Sequence, residues 1–361
     1  MSNDFHAVTV PQVVTRYMTR YSVLSNLIHY AYRGSQCNSL NIFIDLYCIY
    51  RTLYSREYRT QVNDYRDYTV CILDLCAHYR SFFKYLGVDT TFFLISAHNI
   101  PKHNLSIIPN YNKVFSDKLM NTSVNNMISI NTDLLDLLCP YLPNIHFLKT
   151  EFESSSLMNE IIKRENIKNP KIENLIISSD EYPMQLCSLY DNVTYLYPVK
   201  FMGEDRSRII CNKTHSDHQK TFWSIILQKM NRTSPLELLG EISTSNLMLL
   251  MSLNRFTARN LTPAILNITT AVKSIVNFIG YSDLRLTPET IFSNGSWNIS
   301  DDQKLVVSNR FKCLDLLYQD LYFQESLEPK TLHYENLEDP DTIQLINDQY
   351  FADNPIDILR L

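Results

Sequence analysis

Three acids carry most of the chemistry open to this chain. Asp45 closes an apolar run (NIFID), Asp180 closes another (NLIISSD), and Glu153 opens a helical stretch (ESSSLMNEII) just after a third. Each apolar run reads as a buried strand. In an open α/β sheet, ligands and metals bind in the crevice outside the carboxyl ends of the strands. A carboxylate at that edge can hold a cation, take up a proton or receive a hydrogen bond. Singly, Asp45 or Asp180 could be an ordinary helix N-cap, a position that favours Asp. Three acids at corresponding places point to one shared site.

The elements that must position these acids follow from periodicity. Strands are expected at Asn41 to Leu46, Thr90 to Ile95, Asn144 to Leu148, Glu173 to Ser178 and Val193 to Pro198. Helices are expected over 47–56, 65–86 (stopped by Gly87), 126–140 and 154–165. Short apolar strands that alternate with amphipathic helices predict an α/β fold whose mostly parallel central sheet is flanked by helices. After about residue 215 the strand signal stops. Helical stretches over 217–231, 234–255, 263–279 and 302–321 then predict a C-terminal all-helical subdomain. The organisation read from this is an N-terminal helical extension (1–35), a core (36–215) with a polar excursion near 97–140, and a helical C-terminal part (216–361).

Composition narrows the setting. The chain has 361 residues, 45% hydrophobic, which is ample for a large core. Glycine is scarce at 6 and tyrosine common at 23, a bias resembling that of AT-rich genomes, many viral ones among them. The formal net charge is −5, so any surface for nucleic acid must be local and offset by acids elsewhere. The eight cysteines form no CxxC pair and lie mostly in apolar runs, which points to reduced core thiols. The first residues lack a signal-peptide pattern, and no stretch is apolar for the length of a membrane span. The expected location is the cytoplasm, that of a host cell if the protein is viral, or the inside of a virus particle, with no membrane contact.

The order of motifs resembles the flap-endonuclease-like 5′-nucleases of the PIN superfold, nearest to the T-even phage ribonuclease H type of 5′→3′ exonuclease. In that family the first strand ends in a metal-binding Asp followed by a Tyr/Arg-containing helix, matched here by Asp45, Tyr50 and Arg51. An S-x-D-x-D-x-x-Q-L motif with a following N-V is matched by Ser178, Asp180, Gln185, Leu186, Asn192 and Val193. A basic arch over single-stranded DNA is matched loosely by Lys102, Pro109, Tyr111 and Lys113. The helix–three-turn–helix region is matched only in a degenerate form, where Asn260 and Ala271 persist. The likeness runs from about residue 41 to 321, in order and spacing more than in identity.

The resemblance implies catalysis by a pair of Mg²⁺ or Mn²⁺ ions on a cluster of acids. Most of those acids are replaced. The one expected after the second strand falls at Ser96, the E-A-D-D pair at Ser155 and Ser156, the second Asp of D-x-D at Tyr182, and the two hairpin acids at Phe256 and Arg259. Asp45, Glu153 and Asp180 remain, enough for at most one weakly held ion. Glu151, Asp133, Asp136, Glu160 and Glu181 are near enough in sequence to replace a ligand. Asn267 stands where a glycine would let backbone amides approach phosphate.

Three readings follow. The first is a phage flap-endonuclease-like protein, a pseudoenzyme or weak nuclease, that binds flap, nicked or single-stranded DNA through residues such as Arg51, Lys102, Tyr111, Lys113 and Asn260. The second is an active, divergent metal-dependent 5′-nuclease of DNA replication. The third is a non-catalytic structural or assembly protein that keeps the fold and has dropped nucleic acid; a replication or virion partner is open to the first. Two smaller signals stay open. The Tyr47–Tyr68 stretch interleaves aromatics with Arg51, Arg56, Arg59 and Arg66, which suits either base stacking or plain packing. His215 and His218 have i, i+3 spacing but no third ligand in view.

Overall fold

The computed structural model describes residues 38–46, 65–97, 102–109, 122–150, 152–178, 182–197, 200–201, 204–205, 208–211, 244–254, 265–279, 285–293, 297–318 and 340–350. Five parallel strands form the centre: β1 (Ser39–Asp45), β2 (Asp89–Ser96), β3 (Ile145–Lys149), β4 (Glu173–Ile177) and β5 (Val193–Tyr197). Beyond β5 come a short antiparallel ribbon of β6 (Lys200–Phe201) and β7 (Glu204–Asp205), then β8 (Arg208–Cys211), which pairs antiparallel with β5. The sheet order is β3-β2-β1-β4-β5-β8. Every one of the five expected strands is present. β8 escaped the sequence reading because four residues are too few to show a period.

The strand order reverses at β1. Chain leaving β1 builds outward through β2 and β3, then returns to place β4 on the other side. The carboxyl end of β1, where Asp45 sits, is therefore the switch point at which open α/β sheets form their crevices. β1 and β4 are buried almost throughout, as expected of central strands covered on both faces.

The helices are α1 (Tyr65–Tyr85), α2 (Lys102–Ile107), α3 (Thr122–Leu138), α4 (Ser154–Lys168), α5 (Leu186–Leu189), α6 (Leu247–Leu253), α7 (Ile268–Ile279), α8 (Pro288–Ser293), α9 (Asp301–Leu314) and α10 (Pro340–Tyr350). Gly87 ends α1 with a φ of 74°, a left-handed conformation that glycine adopts without cost. Its N–H donates to Lys84 O at 3.0 Å and that of Val88 to Phe83 O at 3.0 Å, the paired bonds of a Schellman stop. α9 starts with a reciprocal capping box between Ser300 and Gln303. The predicted helix over 47–56 lies outside the described residues, as does the extension before residue 38.

Alternation along the strands divides the core in two. Leu40, Ile42 and Ile44 face α1 and α3, and Ile346 of α10 packs into this same cluster. Phe43, Phe93 and Ile176 face α4, α5 and the helices α6 to α9. The Phe43 and Phe93 rings stack at 5.0 Å across neighbouring strands. Asp45 is two residues beyond Phe43, so the same alternation turns it toward α4. Among the described residues no helix is long and apolar enough to cross a membrane.

Candidate functional site

Asp45 is the last residue of β1 and only 2% exposed. Its register partner on β2 is Ile95, a buried apolar residue. On the β4 side, Ile44 pairs with Ile177, which places Ser178 next to Asp45. The Ser178 hydroxyl donates to Asp45 Oδ2 at 3.0 Å. A second hydroxyl, that of Ser154, donates to the same oxygen at 3.2 Å. Ser154 is the first residue of α4, so the amino-terminal end of that helix meets the carboxylate. A helix start favours negative charge within its first turn, and hydrogen bonds to an ionised acceptor are stronger than neutral ones. Tyr195 on β5 fixes the arrangement from behind, its hydroxyl donating to Ser178 O at 2.7 Å.

Glu153 occupies the N-cap position of α4 with extended backbone, and its carbonyl accepts from Ser156 N–H at 3.0 Å. Its side chain does not cap the helix. Its charge instead reaches Cys313 at the end of α9: burial pushes that thiol up to about 12, and Glu153 adds to the shift. Cys313 Sγ–H donates to Asn104 O at 3.9 Å, which ties α2 to α9. The thiols of Cys76 (pushed up to about 12) and Cys139 are likewise held protonated by burial, and Cys71, Cys76, Cys139, Cys187 and Cys313 are buried and outside any disulfide.

The structure thus brings Asp45 and Glu153 to one edge of the sheet, one ending β1 and the other preceding α4. Ser155 and Ser156, where the resemblance expects an acidic pair, are buried in the first turn of α4. Ser96 is buried at the end of β2. Asp180, Arg51, Tyr111, Lys113 and Asn260 lie outside the described residues, as do Glu151, Glu181, His215 and His218. Lys102 starts α2. Two acids named as possible replacement ligands are engaged elsewhere. Asp136 takes an ion pair from Lys149 at 2.7 Å, and Glu160 one from Arg164 at 2.8 Å. Among the described residues no three His, Cys, Asp or Glu side chains come together as a metal site would need. Among the described residues, Ser154 and Ser178 donate to Asp45 Oδ2, Ile95 lies beside it in register, and Oδ1 is buried with no hydrogen bond; hydroxyls can satisfy a carboxylate but cannot neutralise a pair of divalent ions. The described residues by themselves do not fit a two-ion centre.

One contact missed by sequence reasoning holds the site's surroundings. Gln185, part of the matched Q-L motif, lies 7% exposed between the strand-end turn and the C-terminal helices. Its Nε2 donates to Tyr182 O at 3.1 Å and Leu314 O at 3.0 Å, and its Oε1 accepts from Leu316 N–H at 3.2 Å. Next to it, Asp315 pairs with Arg285. The motif marked Gln185 as notable, but partners 129 and 131 residues away are invisible to local spacing.

Asn267 also has a role that its spacing did not reveal. Its side-chain Oδ1 accepts from Thr270 N–H at 2.9 Å, and its carbonyl accepts from Ala271 N–H at 2.9 Å. It is the N-cap of α7, so one amide that a phosphate would use is taken by the chain itself. Asn267→Ala should lower stability by about 1 kcal/mol and Asn267→Gly by only a few tenths, read from urea denaturation midpoints. Equal losses would show that the cap contributes nothing.

No protein-family model and no curated protein matches this sequence. Solved structures do. A pseudo-enzyme form of the bacteriophage T5 flap endonuclease, in a product complex with DNA and metal ions, superposes with a TM-score of 0.53 at 10% identity, over 85% of this chain and 99% of the other. The T5 5′-exonuclease with bound zinc follows at a TM-score of 0.45 and 13% identity, over 89% and 98%. At such identities the likeness is one of fold. The chain has a flap-endonuclease-like fold, with a parallel sheet flanked by helices.

Proposed function

We propose that this flap-endonuclease-like chain binds branched or single-stranded nucleic acid in a phage context, with its cutting activity lost or weak. The observation that carries the reading is the helix start beside Asp45: Ser155 and Ser156 are buried there, where the resemblance expects an acidic pair, and Ser154 donates to the Asp45 carboxylate. Phosphodiester hydrolysis by paired ions needs both charges held close together, one to activate water and one to stabilise the leaving oxygen. Asp45, Glu153 and Asp180 supply too little negative oxygen for that and hold at most one ion, Mg²⁺ or Mn²⁺, weakly. The T5 pseudo-enzyme of the same fold was captured with product DNA, which supports DNA as the ligand class. Arg51, Lys102, Tyr111, Lys113 and Asn260 are the residues proposed to meet it. The acidic balance of −5 favours a second reading, a non-catalytic assembly protein bound to a replication or virion partner.

The test is a titration of the full chain against 5′-flap and single-stranded DNA, with Mn²⁺ present and cleavage followed on gels. Binding should weaken steeply as salt rises, linear in log–log form, while the DNA stays intact. Efficient cleavage that disappears in an Asp45→Ala/Asp180→Ala variant would establish an active nuclease instead. Absence of binding even at low salt would leave the assembly role.

A further inference from the structure

We infer that Asp45 serves this chain as an internal anchor held by serine hydroxyls, and that these hydroxyls take the place of a divalent ion in stabilising its charge. The inference rests on the proposed reading that the ion pair has been lost, and goes on to say what replaced it. Acids gathered at the edge of a sheet repel one another unless a cation lies between them. In this chain the described neighbours of Asp45 are arranged differently on each side. β2 presents Ile95, β4 leads into Ser178, and α4 brings Ser154 with its first-turn dipole. Two donors converge on one oxygen of a carboxylate that is 2% exposed. A metal that bound Oδ2 would have to displace both hydroxyls and leave them without an acceptor in a buried place; Oδ1 is buried with no hydrogen bond of its own among the described residues, and is the oxygen on which the Mn²⁺ titration decides. The same two bonds link β1, β4 and α4 through one side chain. Through Oδ2, Asp45 therefore joins three elements directly.

Wild-type protein and a Ser154→Asp variant are compared in EDTA and in rising Mn²⁺, with Tm and the electron paramagnetic resonance signal of free Mn²⁺ as readouts. The wild type should show the same Tm in both conditions and no saturable loss of free Mn²⁺ below millimolar concentration. Ser154→Asp puts a second carboxylate where a donor stood. It should melt several degrees lower in EDTA, and Mn²⁺ should restore most of that loss while being taken up by the protein. A wild-type Tm that climbs with Mn²⁺, with matching uptake, overturns the inference. So does a Ser154→Asp variant that melts like the wild type in EDTA. If that variant does not fold, the wild-type titration alone decides. The outcome is separable from that of the proposed function. A chain that takes up Mn²⁺ yet binds DNA without cutting refutes the anchor and keeps the DNA reading. A chain indifferent to both Mn²⁺ and DNA does the reverse.

Discussion

Asp45→Ala should lower the stability of the fold by about 2–3 kcal/mol, because two buried serine hydroxyls lose a charged acceptor and the carboxylate-to-helix contact disappears. The sign matters more than the size. In a site assembled to hold ions, acids repel one another when the ions are absent, so deleting one of them stabilises the ion-free protein. In this chain the carboxylate stands among donors and an apolar neighbour, and removing it should destabilise. Asp45→Asn keeps an acceptor oxygen but loses the charge, and should cost about half as much. Urea denaturation in EDTA measures both. A gain in stability for Asp45→Ala would mean that Asp45 is crowded by other acids, and the hydroxyl account of the site would fail. A single Ser178→Ala or Ser154→Ala change, each removing one of the two donors, should fall between the wild type and Asp45→Ala.

Gln185→Ala should cost about 3 kcal/mol, since three hydrogen bonds go and the Leu314 carbonyl and Leu316 N–H are left buried without their partner. The loss should be local as well as global. In hydrogen exchange, the Leu316 amide is protected through Gln185 Oε1 and should exchange much faster in the variant, while the β1 and β4 amides slow or hasten only with overall stability. Gln185→Glu separates the two halves of the contact. It keeps an acceptor for Leu316 N–H but sets a carboxylate against the Leu314 carbonyl, so Leu316 stays protected while stability still falls. Unchanged exchange at Leu316 in Gln185→Ala would show that the helical part is held to the sheet by apolar packing alone. That packing is extensive: Leu247, Leu250, Ile275 and Phe311 share a core with Phe43 and Phe93.

The site edge of this fold is closed by side chains that the chain supplies to itself. Ser154 and Ser178 occupy Asp45, Asn267 occupies the start of α7, Lys149 and Arg164 occupy Asp136 and Glu160, and Gln185 fixes the end of α9. Each of these described side chains has a partner within the protein, while Asp45 Oδ1 is buried with no hydrogen bond of its own among the described residues.

Much of the architecture was legible from residue order. The runs around NIFID, TTFFLI, NIHFL and NLII could only be buried strands, because apolar residues of that density and shortness must be covered on both faces, and helical periods between them force parallel pairing. Gly87 as a helix stop was equally readable, because the left-handed residue there is a local requirement. The replacement of acids by Ser155 and Ser156 was also visible, since it concerns residue type alone. What the serines do was not. Two hydroxyls separated from Asp45 by 109 and 133 positions meet one carboxylate oxygen only because β1 lies between β2 and β4 and α4 crosses above it. The return of α10 to the α1 and α3 side and the antiparallel turn of β8 onto β5 were hidden for the same reason. Local pattern fixes which face of an element is apolar, but partners distant in sequence are chosen by how the layers stack, and that is decided only when the whole chain packs.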